Sequence, residues 1–167
     1  MSPEELGATA GIAFAVACAM EPWSRFVHAH LWHGPLYGLH RTHHRHPSAG
    51  SGGLEGNDLF SAAHAGVAAL ALYLGLESLD HSGAVVATGL GGGLCGYGLA
   101  YIMVHDGFVH GRLPVGFLGR WRFFRRVRAA HEIHHRHGGL PFGLFLGPWE
   151  LRRSKTERRC RQPDPRS

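Results

Sequence analysis

The chain has 167 residues, enough for one domain and too few for two well-cored ones, so a single functional centre is expected. Its formal net charge is +5, with 14 of the 17 Lys and Arg residues at or after Arg112, and no recognisable module that would turn these charges to nucleic-acid binding. Cys18, Cys95 and Cys160 lie far apart without a C-x-x-C pair, which excludes a thiolate metal site and a disulfide framework; 15 histidines, ten of them in four short groups, point to imidazole chemistry instead.

A mean hydropathy of −0.10 conceals three uncharged stretches separated by polar, histidine-rich ones. The first, residues 6–20, covers 15 residues and becomes a membrane span only if its helix runs on through Glu21 toward Val27. Glu4 and Glu5 stand where a secretory signal carries basic residues, so this stretch is expected to stay in the mature protein. A His-rich segment from His28 to His46 follows, then a Gly/Ser loop over residues 47–53. Residues 59–76 are uncharged for 18 residues and residues 83–104 for 22, close to what a bilayer-crossing helix needs, with a turn near residues 80–83 between them. A second His-rich region ends at His137; in it, residues 120–137 read as a helix with Phe123, Phe124, Val127 and Ala130 at helical spacing and Gly138 and Gly139 as its stop. Residues 138–149 are uncharged but too short to span, and are expected in the interface or folded back over the site. Residues 151–167 read as a frayed basic tail that can rest on anionic lipid.

Charge placement orients the chain. No Lys or Arg precedes Arg25, and Glu77 and Asp80 lie between the second and third stretches, whereas Arg41, Arg45 and the arginine-rich end lie on the other side. This is the positive-inside pattern, with the N-terminus out and both His-rich regions in. The expected fold is therefore all-α, a multi-pass membrane helical bundle with a cytoplasmic histidine-rich metal-binding cap, residues 1–150 forming one domain.

His28 and His33 form H-x-x-x-x-H, and His40, His43 and His44 form H-x-x-H-H; His105 with His110 and His131, His134 with His135 repeat the two patterns. At about 100 degrees per residue, an H-x-x-H-H helix is expected to aim three imidazoles at one point. The i, i+5 pair diverges by roughly 140 degrees, suiting two ligands on either side of one centre or one for each of two metals. Ten imidazoles are too many for one metal and about right for two, and neutral imidazole suits iron, zinc and copper alike. His30, His46, His64, His81 and His137 are isolated and are set aside. Metal-bound imidazoles need partners for the second ring nitrogen, and Asp106, Asn57, Asp58 and Glu21 are the candidates. Asp58 could equally cap the helix that starts at Leu59.

These motifs carry a resemblance. Met20-Glu21 through His28, His33-Gly34, His40-x-x-His43-His44 and Glu55-x-Asn57-Asp58-Leu59-Phe60 resembles the N-terminal half of the bacterial β-carotene hydroxylases, within the wider fatty acid hydroxylase group. The run from Met103 through His105-Asp106-Gly107 to His110, with Ala130-His131-x-x-His134-His135, resembles their C-terminal half. The resemblance covers residues 20–147. It implies a membrane enzyme with two irons that uses O2 and external electrons, from a ferredoxin-type donor, to hydroxylate the β-ionone rings of carotenes taken from the bilayer. Three departures bear on substrate identity: a longer Gly/Ser loop over residues 45–54, Pro22 and Arg25 interrupting the first helix, and a compact segment after His135.

Other readings compete. His131-Glu132-x-x-His135 matches the H-E-x-x-H zinc protease motif, but it leaves His134 and the other groups idle, and the sister triplet has Arg41 in place of the glutamate. Gly91-x-Gly93-x-x-Gly96 matches a dinucleotide fingerprint but lies inside an apolar stretch with no preceding strand; Gly89 with Gly93 and Gly92 with Gly96 instead give small residues four apart for close helix packing. A metal transporter would need ligands deep in the spans, where only His64 qualifies. A carotenoid ketolase, or a lipid or sterol hydroxylase or desaturase, shares the histidine spacing.

Overall fold

The computed structural model describes residues 1–45, 55–77 and 80–161, and every regular element among them is helical. The Gly/Ser loop of residues 47–53 and His46 lie outside the described residues.

Helix α1 (Pro3–Val27) starts at a capping box, in which the Ser2 hydroxyl accepts from the Glu5 amide and the Glu5 carboxylate accepts from the Ser2 amide. The helix continues through Glu21 as a span requires. The interruption expected at Pro22 and Arg25 does not occur: Pro22 removes one donor but sits inside an unbroken helix, as membrane helices tolerate. A π-turn (His28–Trp32) then leads to α2 (Tyr37–Arg45). Helix α3 (Asp58–Glu77) and helix α4 (His81–Tyr101) form a hairpin, Asp80 capping α4 through the Gly83 amide. A second π-turn (Ile102–Val109) extends α4. A 3₁₀ turn (Gly116–Arg120) precedes α5 (Arg122–His137), which stops where Gly138 takes a left-handed conformation at φ 66°.

Among the described residues, three helical runs are long and apolar enough to cross a membrane: Pro3–Trp32, Asp58–Glu77 and His81–Val109. Their outer faces leave large apolar side chains uncovered, among them Phe14, Leu70, Tyr73, Leu76 and Leu99, as lipid-facing helices do. Helix α4 lies between α1 and α3. Its approach to α1 is close because a Cβ built on Gly93 would lie 2.5 Å from the Ala13 carbonyl oxygen, and one on Gly89 2.8 Å from Ile12. Of the two expected small-residue pairs, Gly89 with Gly93 makes this contact. A Cβ on Gly92 would meet Ala13 only at 3.8 Å and one on Gly96 nothing within 4 Å; Gly91 instead faces Leu72 of α3.

Both His-rich regions gather at one end of the bundle. Residues 138–146 fold back over that end, leaving Phe142 beside His28 and Leu144 buried. Beyond them the chain continues into α6 (Gly147–Arg161). The fold anchors this helix at its start: the buried Glu150 carboxylate pairs with Arg25 of α1 and accepts from the Phe142 amide.

Candidate metal centre

The ligand-rich turns owe their geometry to local π-helix. In both H-x-x-x-x-H segments the backbone closes an i→i+5 bond, His33 N–H to the His28 carbonyl at 3.1 Å and His110 N–H to the His105 carbonyl at 3.0 Å. An i→i+5 bond stacks residues i and i+5 over one another, so the divergence expected from α-geometry is absent. The rings of each pair consequently stand side by side, with centroids 5.1 Å apart for His28 and His33 and 4.6 Å for His105 and His110.

Nine of the ten grouped histidines fall into two sets whose ligating atoms lie within 4.8 Å of one another. The first set is His28, His33, His40, His44 and His134; the second is His43, His110, His131 and His135. His105 adjoins the second set, its ring centroid 4.8 Å from His131 and 5.0 Å from His43. The two triplets do not each converge on one point, as the spacing alone suggested. Each divides: the i, i+4 pair of α2 joins the first set and His43 the second, while the i, i+4 pair of α5 joins the second set and His134 the first. Crossed in this way, each set needs both halves of the chain. The sets adjoin, His44 of the first stacking on His135 of the second at 4.6 Å.

The donor chemistry fits metal ions. Nε2 atoms face one another without an anion between them: His28 and His40 at 3.1 Å, His33 and His134 at 3.1 Å, His110 and His131 at 3.3 Å. Two ring nitrogens facing each other can share at most one proton, whereas a cation between them satisfies both lone pairs. The His43 Nε2 and His135 Nδ1 atoms are buried and lack a hydrogen-bond partner, an expense a bound cation removes at His43. Burial, with neighbouring imidazoles adding to it, holds these rings neutral, the form that ligates metal. It lowers His33 to about 4, His40 and His134 to about 3 and His135 to about 2, and drives His43, His44 and His131 down as well.

Five of the rings have an acceptor for the second nitrogen. His28 Nδ1–H donates to the Phe142 carbonyl at 2.8 Å, His134 Nδ1–H to the Gly139 carbonyl at 2.7 Å, and His40 Nδ1–H to Asn57 Oδ1 at 2.9 Å. His43 Nδ1–H donates to Glu55 at 3.0 Å and His105 Nδ1–H to Asp106 at 2.9 Å. These acceptors cannot donate, so each ring is fixed as the tautomer with its Nε2 lone pair free.

Two of the four expected partners therefore hold a histidine, Asp106 and Asn57, and two do not. Glu21 accepts from the Tyr97 hydroxyl and the Leu146 amide, both at 2.8 Å, and so pins the folded-back segment to α1. Asp58 accepts from the Glu55 amide at 2.8 Å and from Arg112 at 3.2 Å, which places it at the start of α3 and in an ion-pair cluster rather than on a ring. Sequence reasoning missed Glu55, although it opens the quoted E-x-N-D-L-F run, and missed the carbonyls of Phe142 and Gly139, which no residue type announces.

A small pocket among the histidines shares lining residues with a larger apolar cavity. A pocket of about 20 Å³, room for one water-sized molecule, is lined by His28, His40, His105 and His131 together with Asn57 and Tyr101. A partly open apolar cavity of about 300 Å³ lies between α3 and α4, with Ala65, Ala68, Leu72, Leu94 and Ile102 in its wall. Phe60, Ser61 and Tyr101 border both, and the Tyr101 ring stacks on His105 at 4.8 Å.

The competing motifs find no support in this geometry. Glu132 pairs with Arg128 at 3.0 Å and is nearly half exposed, while the two histidines of its motif share a set with His43 and His110. Both nitrogens of His64 are engaged, Nε2 by the Trp23 indole at 3.0 Å and Nδ1 by the Phe60 carbonyl at 2.9 Å. The glycine fingerprint lies in mid-helix α4.

A profile of the fatty acid hydroxylase family matches residues 13–152. The chain is similar to a chloroplastic β-carotene hydroxylase of Capsicum annuum, 42% identical over 151 residues, covering 88% of this chain and 46% of that protein. It is also similar to a chloroplastic β-carotene 3-hydroxylase of Arabidopsis thaliana, 40% identical over 153 residues, covering 88% and 47%. A β-carotene hydroxylase of Pantoea ananas is 34% identical over 141 residues, covering 82% and 76%. The chain thus spans about half the length of its plant relatives. No solved structure matches it.

Proposed function

The chain belongs to the fatty acid hydroxylase family, and on that premise we propose that it is a di-iron monooxygenase that hydroxylates the β-ionone rings of β-carotene. One observation carries the reading: the small pocket among two adjoining histidine sets shares Phe60, Ser61 and Tyr101 with an apolar cavity between two candidate membrane spans. The relatives named for β-carotene hydroxylation supply the substrate class.

His28, His33, His40, His44 and His134 would hold one iron, and His43, His105, His110, His131 and His135 the other. Iron in these positions would supply the activation of O2 that an unreactive C–H bond requires, with electrons from outside the chain. The protein's own part is placement. The carbonyls of Phe142 and Gly139, Asn57, Glu55 and Asp106 fix five rings with Nε2 inward. The α3/α4 cavity takes a hydrocarbon ring end laterally from the bilayer, and Phe60, Ser61 and Tyr101 set how far it advances toward the imidazoles. Phe142 and Leu144 shield the site from above and keep bulk water from it.

The metal end and the C-terminus would face the cytoplasm, in keeping with the arginine bias. There the exposed Arg120, Arg122, Arg125, Arg126, Arg128 and Arg136 suit an acidic ferredoxin-type donor. Expression in cells that accumulate β-carotene tests the reading. Mono- and dihydroxylated pigments should appear in the extract and vanish with His43→Ala; unchanged β-carotene, or full activity in iron-free purified protein, would refute it.

A further inference from the structure

The two histidine sets differ in what stands behind their rings. In the first set every identified Nδ1 acceptor is neutral: the Phe142 and Gly139 carbonyls and the Asn57 side chain. Behind the second set and the adjoining His105 the acceptors are carboxylates, Glu55 and Asp106. The carboxylates Glu21 and Glu150 lie close to the first set, but they bind peptide N–H groups of the folded-back segment and Arg25, not a ring nitrogen.

Arg112 organises the charged side. Its guanidinium lies 3.0 Å from Glu55, 3.2 Å from Asp58 and 3.8 Å from Asp106, joining the start of α3 to the end of the second π-turn. Three carboxylates against one guanidinium leave this cluster net negative. A carboxylate accepting an imidazole N–H draws the proton toward itself and raises electron density at the opposite nitrogen, and its full charge also attracts a nearby cation. A carbonyl offers only a dipole.

From this we infer that the two metal positions are unequal: Glu55 and Asp106, held by Arg112, are positioning residues that make the second set the tighter site, while the carbonyl-backed first set binds its metal more weakly. This rests on the metal-binding reading above. The same contrast explains why a single arginine bridges three acidic residues at this point of the fold. It keeps the two carboxylates aimed at their rings instead of at solvent.

The test is a titration of the metal-free full chain in detergent with Co(II), read by its visible absorption against a competing chelator. Wild type should fill in two separate steps, with His33→Ala removing the weaker and His110→Ala the stronger. Glu55→Gln, equal in size but uncharged, should weaken the stronger step about 10–100-fold and leave the weaker one in place, and Glu55→Asp should restore part of the loss. Asn57→Asp adds a charge behind His40 and should tighten the weaker step, an effect that a purely structural role would not produce and that remains readable if Glu55→Gln fails to fold. Two steps of equal affinity, or a weaker step that Asn57→Asp leaves unmoved, would overturn this inference alone. A wild-type chain that takes up no Co(II) would overturn it together with the metal-binding reading.

Discussion

The two histidine sets are built from the same pair of motifs and end up in different settings. The first set draws on the first π-turn and its end, α2 and one residue of α5, is covered by residues 138–146, and leans on peptide carbonyls and Asn57. The second draws on the second π-turn, α5 and one residue of α2, and leans on the ion-pair cluster around Arg112. Repetition in sequence thus yields adjoining sets of five and four imidazoles, with His105 beside the second, in unlike electrostatic settings. What separates the sets is which neighbours the fold brings to the outer ring nitrogens.

The largest effects should come from the two crossed residues. His134→Ala removes a first-set donor from a helix that otherwise serves the second set, and His43→Ala does the converse. Each should abolish hydroxylation and lower bound iron from about two to about one per chain, measured on protein purified in detergent. Loss of both irons from either variant would mean that the sets act as one unit.

Acid should separate the sets next. The imidazoles of His33 and His135 titrate near 6.5 when unfolded and lower when folded, at about 4 and about 2. Below pH 6.5 the unfolded chain therefore takes up protons that the folded one refuses, so the metal-free protein is most stable above that value and loses stability progressively as pH falls through 4 toward 2. Protons compete with metal for these rings, and the carboxylate-backed second set should hold its metal more tightly, so the first set should release its metal at the higher pH, as read by metal release against pH.

A smaller effect is expected at the covering segment. Glu150→Ala leaves the Phe142 amide without its buried acceptor, which should cost about 1–3 kcal/mol in thermal or denaturant unfolding. It should also loosen the first-set metal in preference to the second. The smallest effect belongs to Glu132→Gln. This carboxylate sits one residue from His131 yet pairs with Arg128, so hydroxylation should change little, in contrast to Glu55.

Much of the architecture was legible because its signals are local. Uncharged runs near span length marked α3 and α4, Gly138 marked the end of α5, and the four histidine groups marked the site. The π-turns were not legible: the H-x-x-x-x-H spacing reads as divergent on an α-helix, and only the i→i+5 backbone bond aligns His28 with His33 and His105 with His110. The crossing of the triplets depends on how α2 and α5 face each other, which no residue spacing encodes. Glu21 and Asp58 are acidic and near the ligands in sequence, but their carboxylates serve the Leu146 amide and Arg112 instead. Conversely, the Phe142 and Gly139 acceptors are backbone atoms and leave no trace in side-chain chemistry.

The central claim is that ten imidazoles drawn from both halves of the chain hold two neighbouring irons. Mössbauer spectroscopy of the oxidised protein, loaded with iron-57, tests it most directly. A single magnetically coupled pair accounting for nearly all the iron is the expected result; two uncoupled irons, or one iron per chain, would contradict it.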